Sequence, residues 1–170
     1  LFLHTYEAHE PYLDDRFVRQ EGLAKKDWKA RNEARYDGDI RRADEYLGKL
    51  RQRLEELSLT ERTLVFIVSD HGEEFGDHFD VWNDGHGHSL YEEQVHVPFV
   101  VVGPTVPPGR RLAEAIDLTA VAPTVFSFLG VSPPALDGRD LFPLLRGDRG
   151  EPEWLAFSED VWIGPSTWAA

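Results

Sequence analysis

T-L-V-F-I-V-S-D-H-G-E-E-F-G, residues 63–76, is the stretch whose reading decides the fold. Leu64 to Val68 form an unbroken apolar run rich in β-branched residues. Such a run fits a strand buried on both faces, as in a parallel sheet. Ser69, Asp70, His71 and Gly72 follow at once. In open α/β sheets, ligands bind just beyond the carboxyl ends of the strands. Asp70 and His71 are therefore where chemistry is expected. Together they offer a hard oxygen and an imidazole nitrogen, a usual combination for a divalent metal. Gly72 and Gly76 let the backbone turn around such a site. The plainer reading is a strand ending in a polar turn with a capping Asp.

Outward from this stretch, Asn32–Leu57 precedes it. Tyr36, Ile40, Ala43, Leu47, Leu50, Leu54 and Leu57 recur there at three and four residues, which predicts a helix with one apolar stripe. The periodicity assigns this helix to packing. Before it, Asp14–Arg31 is charged and reads as a surface excursion with short helices. Earlier still, Leu1-Phe2-Leu3 reads as the end of a buried strand. His4-Thr5-Tyr6-Glu7-Ala8-His9-Glu10-Pro11-Tyr12 then places two histidines and two carboxylates at a second strand end. Pro11 biases Glu10 towards an extended conformation.

On the far side, Gly85-His86-Gly87-His88-Ser89-Leu90-Tyr91 sets glycines on both sides of His86, allowing a bound group to approach the backbone. The seven histidines are His4, His9, His71, His78, His86, His88 and His96. Their grouping after two strand ends argues for a site more strongly than any one of them. His78, His88 and His96 are each read first as structural or solvated, with a supporting place near the metal as the alternative for His78. Val97–Gly103 predicts another short strand, with Pro98 tolerated near its start. Pro123 suits the first turn of a helix running to Gly130. Leu141–Leu145 reads as a short docked segment and Trp154–Ser158 as a final strand.

The chain has 170 residues, enough for one domain with a sizeable core. Its net charge of −13 argues against nucleic acid or an anionic membrane surface as a partner. It has no cysteine, hence no disulfide and no thiolate metal site. No apolar run approaches the roughly 18 residues that span a bilayer. Leu1 lies inside an apolar run, and the chain has no Met. The expectation is a piece of a longer protein, with localisation and oligomeric state unspecified.

At His4–Tyr12, Ser69–Gly76 and Gly85–Tyr91 the chain resembles the sulfatase family of the alkaline phosphatase superfamily. Y-D-G-D-I-R-R-A-D-E-Y-L-G-K-L resembles that family's long helix. D-L-T-A-V-A-P-T-V-F-S-F-L-G-V and L-D-G-R-D-L-F-P-L-L-R-G complete the order. The resemblance implies an alkaline phosphatase-like α/β fold, a largely parallel sheet flanked by helices, here incomplete. Residues 1–170 would be a single partial catalytic domain, lacking the N-terminal nucleophile segment.

It also implies roles. Asp70 and His71 would be ligands of a divalent cation, calcium first, with zinc, manganese or magnesium as alternatives. Many family members have Asn where this chain has His71, a softer ligand. His9, in H-E-P, would contact the sulfate or leaving-group oxygen. His86 resembles the family's Lys or His that holds the ester oxygen, and His88 is the competing match. Sulfatases carry an upstream C/S-x-P-x-R motif whose Cys or Ser becomes formylglycine, and an upstream Asp pair. Neither the Cys nor a matching Ser is present in these residues.

The implied activity is hydrolysis of small-molecule or glycan sulfate esters. One alternative is a phosphoryl-transfer relative, a phosphoethanolamine transferase or phosphonate monoester hydrolase. The other is a non-catalytic member that binds a metal or anion.

Overall fold

The apolar stripe from Tyr36 to Leu57 does form a helix, and it begins before Asn32. The computed structural model of the chain describes residues 1–78, 85–87, 89–148 and 153–159. They fall into two compact units, Leu1–Leu59 with Glu73–His86, and Thr60–Gly72 with Gly87–Ala170.

In the first unit the charged excursion folds into α1, Arg16–Glu21, which ends at Gly22 in the left-handed conformation that favours glycine. The long helix, α2, runs Trp28–Glu56, about 44 Å at 1.5 Å per residue. α1 lies against α2, with Val18 and Ala34 buried. The buried part of α2 is offset from the predicted stripe. Ala34, Gly38 and Asp39 are buried, whereas Ile40 and Leu57 are exposed. Among the described residues a polar loop and α1 lie against the first half of this helix, so small and charged side chains are the buried ones there, while Leu47, Leu50 and Leu54 of the stripe are half-buried.

That loop, Glu7–Arg16, is tied to α2 by charge. Asp39 accepts the backbone N–H of Leu13 at 3.1 Å. Arg42 lies 3.4 Å from Asp39, 3.6 Å from Glu7 and 3.7 Å from Asp14. Arg16 hydrogen-bonds both Asp14 and Glu45. The Arg16 hydrogen bond holds the Asp14 carboxyl below its ordinary 3.8. A depressed carboxyl contributes stability that is present above the unfolded value and lost as pH falls through the folded one. Unfolding midpoints followed from pH 6 down to pH 2 should therefore fall below about pH 4, and less steeply in Asp14→Asn.

In the second unit β1, Val65–Val68, pairs with β2, Phe99–Val102. The pairing is antiparallel, with Phe66 opposite Val101 and Ile67 opposite Val100. The parallel neighbours expected for β1 are not found among the described residues. An apolar run reports burial and not strand direction, which is why the sequence suggests one and the structure holds the other. One face carries Phe66, Phe99 and Val101 into the core. On the other, Val100 is 45% and Val102 54% exposed, so the two-sided burial expected of these strands is not seen.

The helices of this unit are α3, Glu92–Val95, α4, Val121–Leu129, and α5, Phe142–Arg146. α4 contains Pro123 in its first turn and ends at left-handed Gly130, as its sequence predicts. Leu141, Phe142, Leu144 and Leu145 are buried with Ala120 and form the centre of the core. Each such large side chain contributes about 1.5–3 kcal/mol. Thr124 joins α4 to this segment, donating to Ala120 O at 2.7 Å and accepting from Leu141 N at 2.9 Å.

Two strand expectations are corrected. Leu1–Leu3 and the described Trp154–Ser158 are not strands, and Leu1, Phe2, Leu155 and Phe157 are largely exposed. Apolar composition gives a segment strand propensity, but a ladder needs a neighbour, and neither segment has one among the described residues. No helix among them is long and apolar enough to cross a membrane.

Candidate active site

The end of β1 delivers Ser69–Gly72 as a tight polar turn in the second unit. Ser69 Oγ donates to the carbonyl of His71 at 2.6 Å. His71 Nδ1 lies 2.9 Å from the carbonyl oxygen of Gly72. A carbonyl only accepts, so Nδ1 carries the proton and Nε2 carries the lone pair. Nε2 is 3.8 Å from Asp70 Oδ1, and the Asp70 side chain is 76% exposed. One divalent cation bonds oxygen and imidazole nitrogen at about 2.0–2.6 Å, so a single ion can meet both atoms at that spacing. The donor set and the fixed tautomer thus fit the metal that the sequence implies.

Gly72 makes this turn possible. Its N–H donates to Gln94 O at 2.8 Å, and a Cβ on it would lie 2.0 Å from Glu93 O. That neighbour is backbone and cannot swing aside. Gly72→Ala should lower stability by about 1–3 kcal/mol or more, read as a lower urea midpoint.

In the first unit His9 and His86 come together. Their ring centroids are 5.1 Å apart at 72°. His9 follows Ala8, whose φ of 65° is left-handed, a conformation costing a non-glycine residue about 1–2 kcal/mol. The turn is closed by His9 N donating to Tyr6 O at 3.2 Å. His9 Nδ1 lies 2.8 Å from Glu10 O, and Glu10–Pro11 is cis. His86 is carried by a short bridge in which Glu74 and Gly85 exchange both backbone hydrogen bonds at 2.9 Å. Gly85 and Gly87 have φ of 109° and 77°, which lets the chain double back on both sides of the imidazole.

The bridge sets His86 Nδ1 3.0 Å from Glu73 Oε1. The Glu73 side chain is 3% exposed. Its other oxygen accepts from the Tyr12 hydroxyl at 2.5 Å. Tyr12, Tyr36 and Phe75 form a three-ring cluster with centroids 5.3–5.7 Å apart. Burial, and then the hydrogen bond to Glu73, push the Tyr12 phenol well above its ordinary value. Tyr12 therefore remains a donor throughout the neutral range. Burial also raises Tyr36.

Asp70 and His71 are thus adjacent in the second unit, and His9 and His86 are adjacent in the first. His88 lies outside the described residues. His78 is exposed, and its backbone N–H donates to Glu74. His96 pairs with Glu92 at 2.9 Å on the surface, as a structural histidine would. The sequence reading gives no role to Glu73 or Tyr12. A carboxylate three residues after Asp70 and a phenol three after His9 were the available signals, and neither spacing says that the two side chains meet.

Comparison with known proteins places the chain in a family. The family model described as Sulfatase matches residues 1–131. Mouse (Mus musculus) steryl-sulfatase is 33% identical over 98% of this chain and 27% of its own length. Mouse arylsulfatase K is 31% identical over 71% of this chain and 21% of its own length. Choline-sulfatase of Rhizobium meliloti is 29% identical over 79% of this chain and 26% of its own. Among solved structures, a phosphonate monoester hydrolase from Silicibacter pomeroyi matches with a TM-score of 0.65 and 27% identity, covering 72% of this chain and 24% of that one. The chain therefore spans a minor part of the relatives it matches. Its strand-end turn, its histidine loop and its glycine-flanked histidine all lie within the matched residues, and the chain belongs to the sulfatase family.

Proposed function

We propose that the full-length protein hydrolyses sulfate esters, with residues 1–170 as the later part of its catalytic domain. The observation that carries this reading is the Asp70–His71 turn, with its Nε2 lone pair 3.8 Å from a carboxylate oxygen, in a chain of this family. Asp70 Oδ1 and His71 Nε2 would hold the cation. Held there, the cation would supply positive charge to the sulfuryl oxygens of the ester. Its identity, calcium first by resemblance, is open to zinc, manganese or magnesium because one ligand is imidazole.

His86 and His9 serve the ester itself. His86 in its charged form, with a proton on each nitrogen, holds the ester oxygen and gives it the Nε2 proton as the S–O bond breaks, leaving a neutral imidazole whose Nδ1–H still donates to Glu73. His9 contacts the sulfate or the leaving oxygen. The nucleophile and the remaining metal ligands come from the segment expected upstream, where the family carries formylglycine and an Asp pair. The largely parallel sheet of the alkaline phosphatase-like fold would be completed by strands outside these residues, with β2 as an antiparallel partner of β1.

The test is release of inorganic sulfate from an aryl sulfate by the full-length protein. Turnover that stops with chelator and returns with calcium or another divalent ion supports the reading. Sulfate release unaffected by chelation contradicts the metal role. The likeness to a phosphonate monoester hydrolase favours one second reading, phosphoryl transfer at the same residues.

A further inference from the structure

We propose that Glu73, itself held by Tyr12, is a positioning residue that fixes the ring of His86 and selects its reacting nitrogen. The inference deepens the sulfate-ester reading and rests on it for the kinetic part of the test.

Glu73 is one of three buried acids among the described residues, with Asp39 and Glu74, and both its oxygens are engaged. Oε1 meets His86 Nδ1 at 3.0 Å, and Oε2 receives the Tyr12 hydroxyl at 2.5 Å. With Oε1 as the acceptor of this contact, Nδ1 is the protonated nitrogen of His86. The ring can then act on an ester only through Nε2. A carboxylate behind an imidazole holds its tautomer and orientation in this way in other hydrolytic sites.

The rest of the network makes the carboxylate a fixed point. Tyr12 is clamped between Tyr36 of α2 and Phe75 of the segment after Gly72. Gly85 stands against the same carboxylate, with its Cβ position 3.8 Å from Glu73 Oε1. The Glu74–Gly85 backbone bridge sets the register that brings His86 to that oxygen. Two other segments, those of Tyr12 and of Gly85–His86, therefore meet this one side chain, and Tyr36 and Phe75 brace Tyr12. This geometry also separates the two histidines by role. His9 Nδ1 is engaged by the carbonyl of its own neighbour Glu10, whereas His86 is oriented by a residue from another segment.

The experiment uses the full-length protein and three variants, Glu73→Ala, Glu73→Gln and Tyr12→Phe, each checked for folding by circular dichroism. Glu73→Ala should lower kcat for an aryl sulfate about 10- to 100-fold with KM nearly unchanged. Glu73→Gln keeps an acceptor for Nδ1–H and should restore most of that loss. Tyr12→Phe keeps the ring cluster, loses one hydrogen bond, and should cost roughly 3- to 10-fold.

Nitrogen-15 NMR of labelled histidine reads the tautomer without turnover. His86 should be protonated on Nδ1 in the parent and move towards the Nε2-protonated form in Glu73→Ala. An unchanged kcat in all three variants, or a neutral His86 in the parent that carries its proton on Nε2 with Nδ1 bare, overturns the proposal. If the parent releases no sulfate, the sulfatase reading fails, and the NMR signature decides the role of Glu73 by itself.

Discussion

Asp70→Ala should abolish measurable turnover of sulfate esters by the full-length protein and strip it of its bound cation. Asp70 supplies the only carboxylate oxygen in the turn that lies beside the metal-ready nitrogen of His71, at 3.8 Å. Removing it takes one hard oxygen from the cation's shell and leaves imidazole, a poor ligand for calcium, as this turn's contribution. Lewis-acid assistance is worth several kcal/mol of barrier, and each 1.4 kcal/mol is tenfold in rate. A fall in kcat on the order of 1,000-fold or more is the expected result. Metal content after dialysis should fall in parallel. Because the Asp70 side chain is largely exposed, thermal stability in the absence of metal should change little. A variant that keeps both its cation and its rate would remove Asp70 from the site.

His86→Ala should lower kcat by about 100- to 10,000-fold, and by more for poor leaving groups than for good ones. An alkyl sulfate leaves as an alkoxide that needs a proton, whereas a nitrophenolate leaves almost unaided. If His86 donates that proton, the loss for 4-nitrophenyl sulfate should be at least tenfold smaller than the loss for an alkyl sulfate, about 1.4 kcal/mol of difference in barrier. His88→Ala is the necessary companion, since the glycine-rich turn offers either histidine to the family's ester-holding position. The engagement of His86 with buried Glu73 predicts a large effect at His86 and a small one at His88. Equal losses for both leaving groups would make His86 a binding residue and not an acid.

Much of this was legible from residue order. The apolar run before Ser69-Asp70-His71-Gly72 announced a strand ending in a polar turn, and β1 ends there. The long helix, the Pro123–Gly130 helix and the buried Leu141–Leu145 segment followed from periodicity, caps and apolar density. These are local properties, and local properties are written locally. The direction of β1 against β2 is not, because an apolar run is the same read either way. Nor can composition supply a strand with a neighbour, which is why Leu1–Leu3 and Trp154–Ser158 have strand-like sequences and no strand structure. The site shows the same division. His9 and His86 stood out by their flanking Pro and Gly. Glu73 and Tyr12 looked like ordinary polar residues until the backbone bridge at Glu74 and Gly85 brought one to His86 and the ring cluster brought the other to Glu73.

The measurement that bears most directly on the account is the ratio of kcat/KM for an aryl sulfate to that for the matched phosphonate monoester, taken on the metal-loaded full-length protein. The two matched esters are both tetrahedral monoanions with the same leaving group and differ in the central atom and in one of its substituents, so the ratio reports which group the site is built around. The account predicts that the sulfate is preferred and that Asp70→Ala suppresses both reactions. A clear preference for the phosphonate, with sulfate turned over only slowly, would contradict it and assign these residues to phosphoryl transfer.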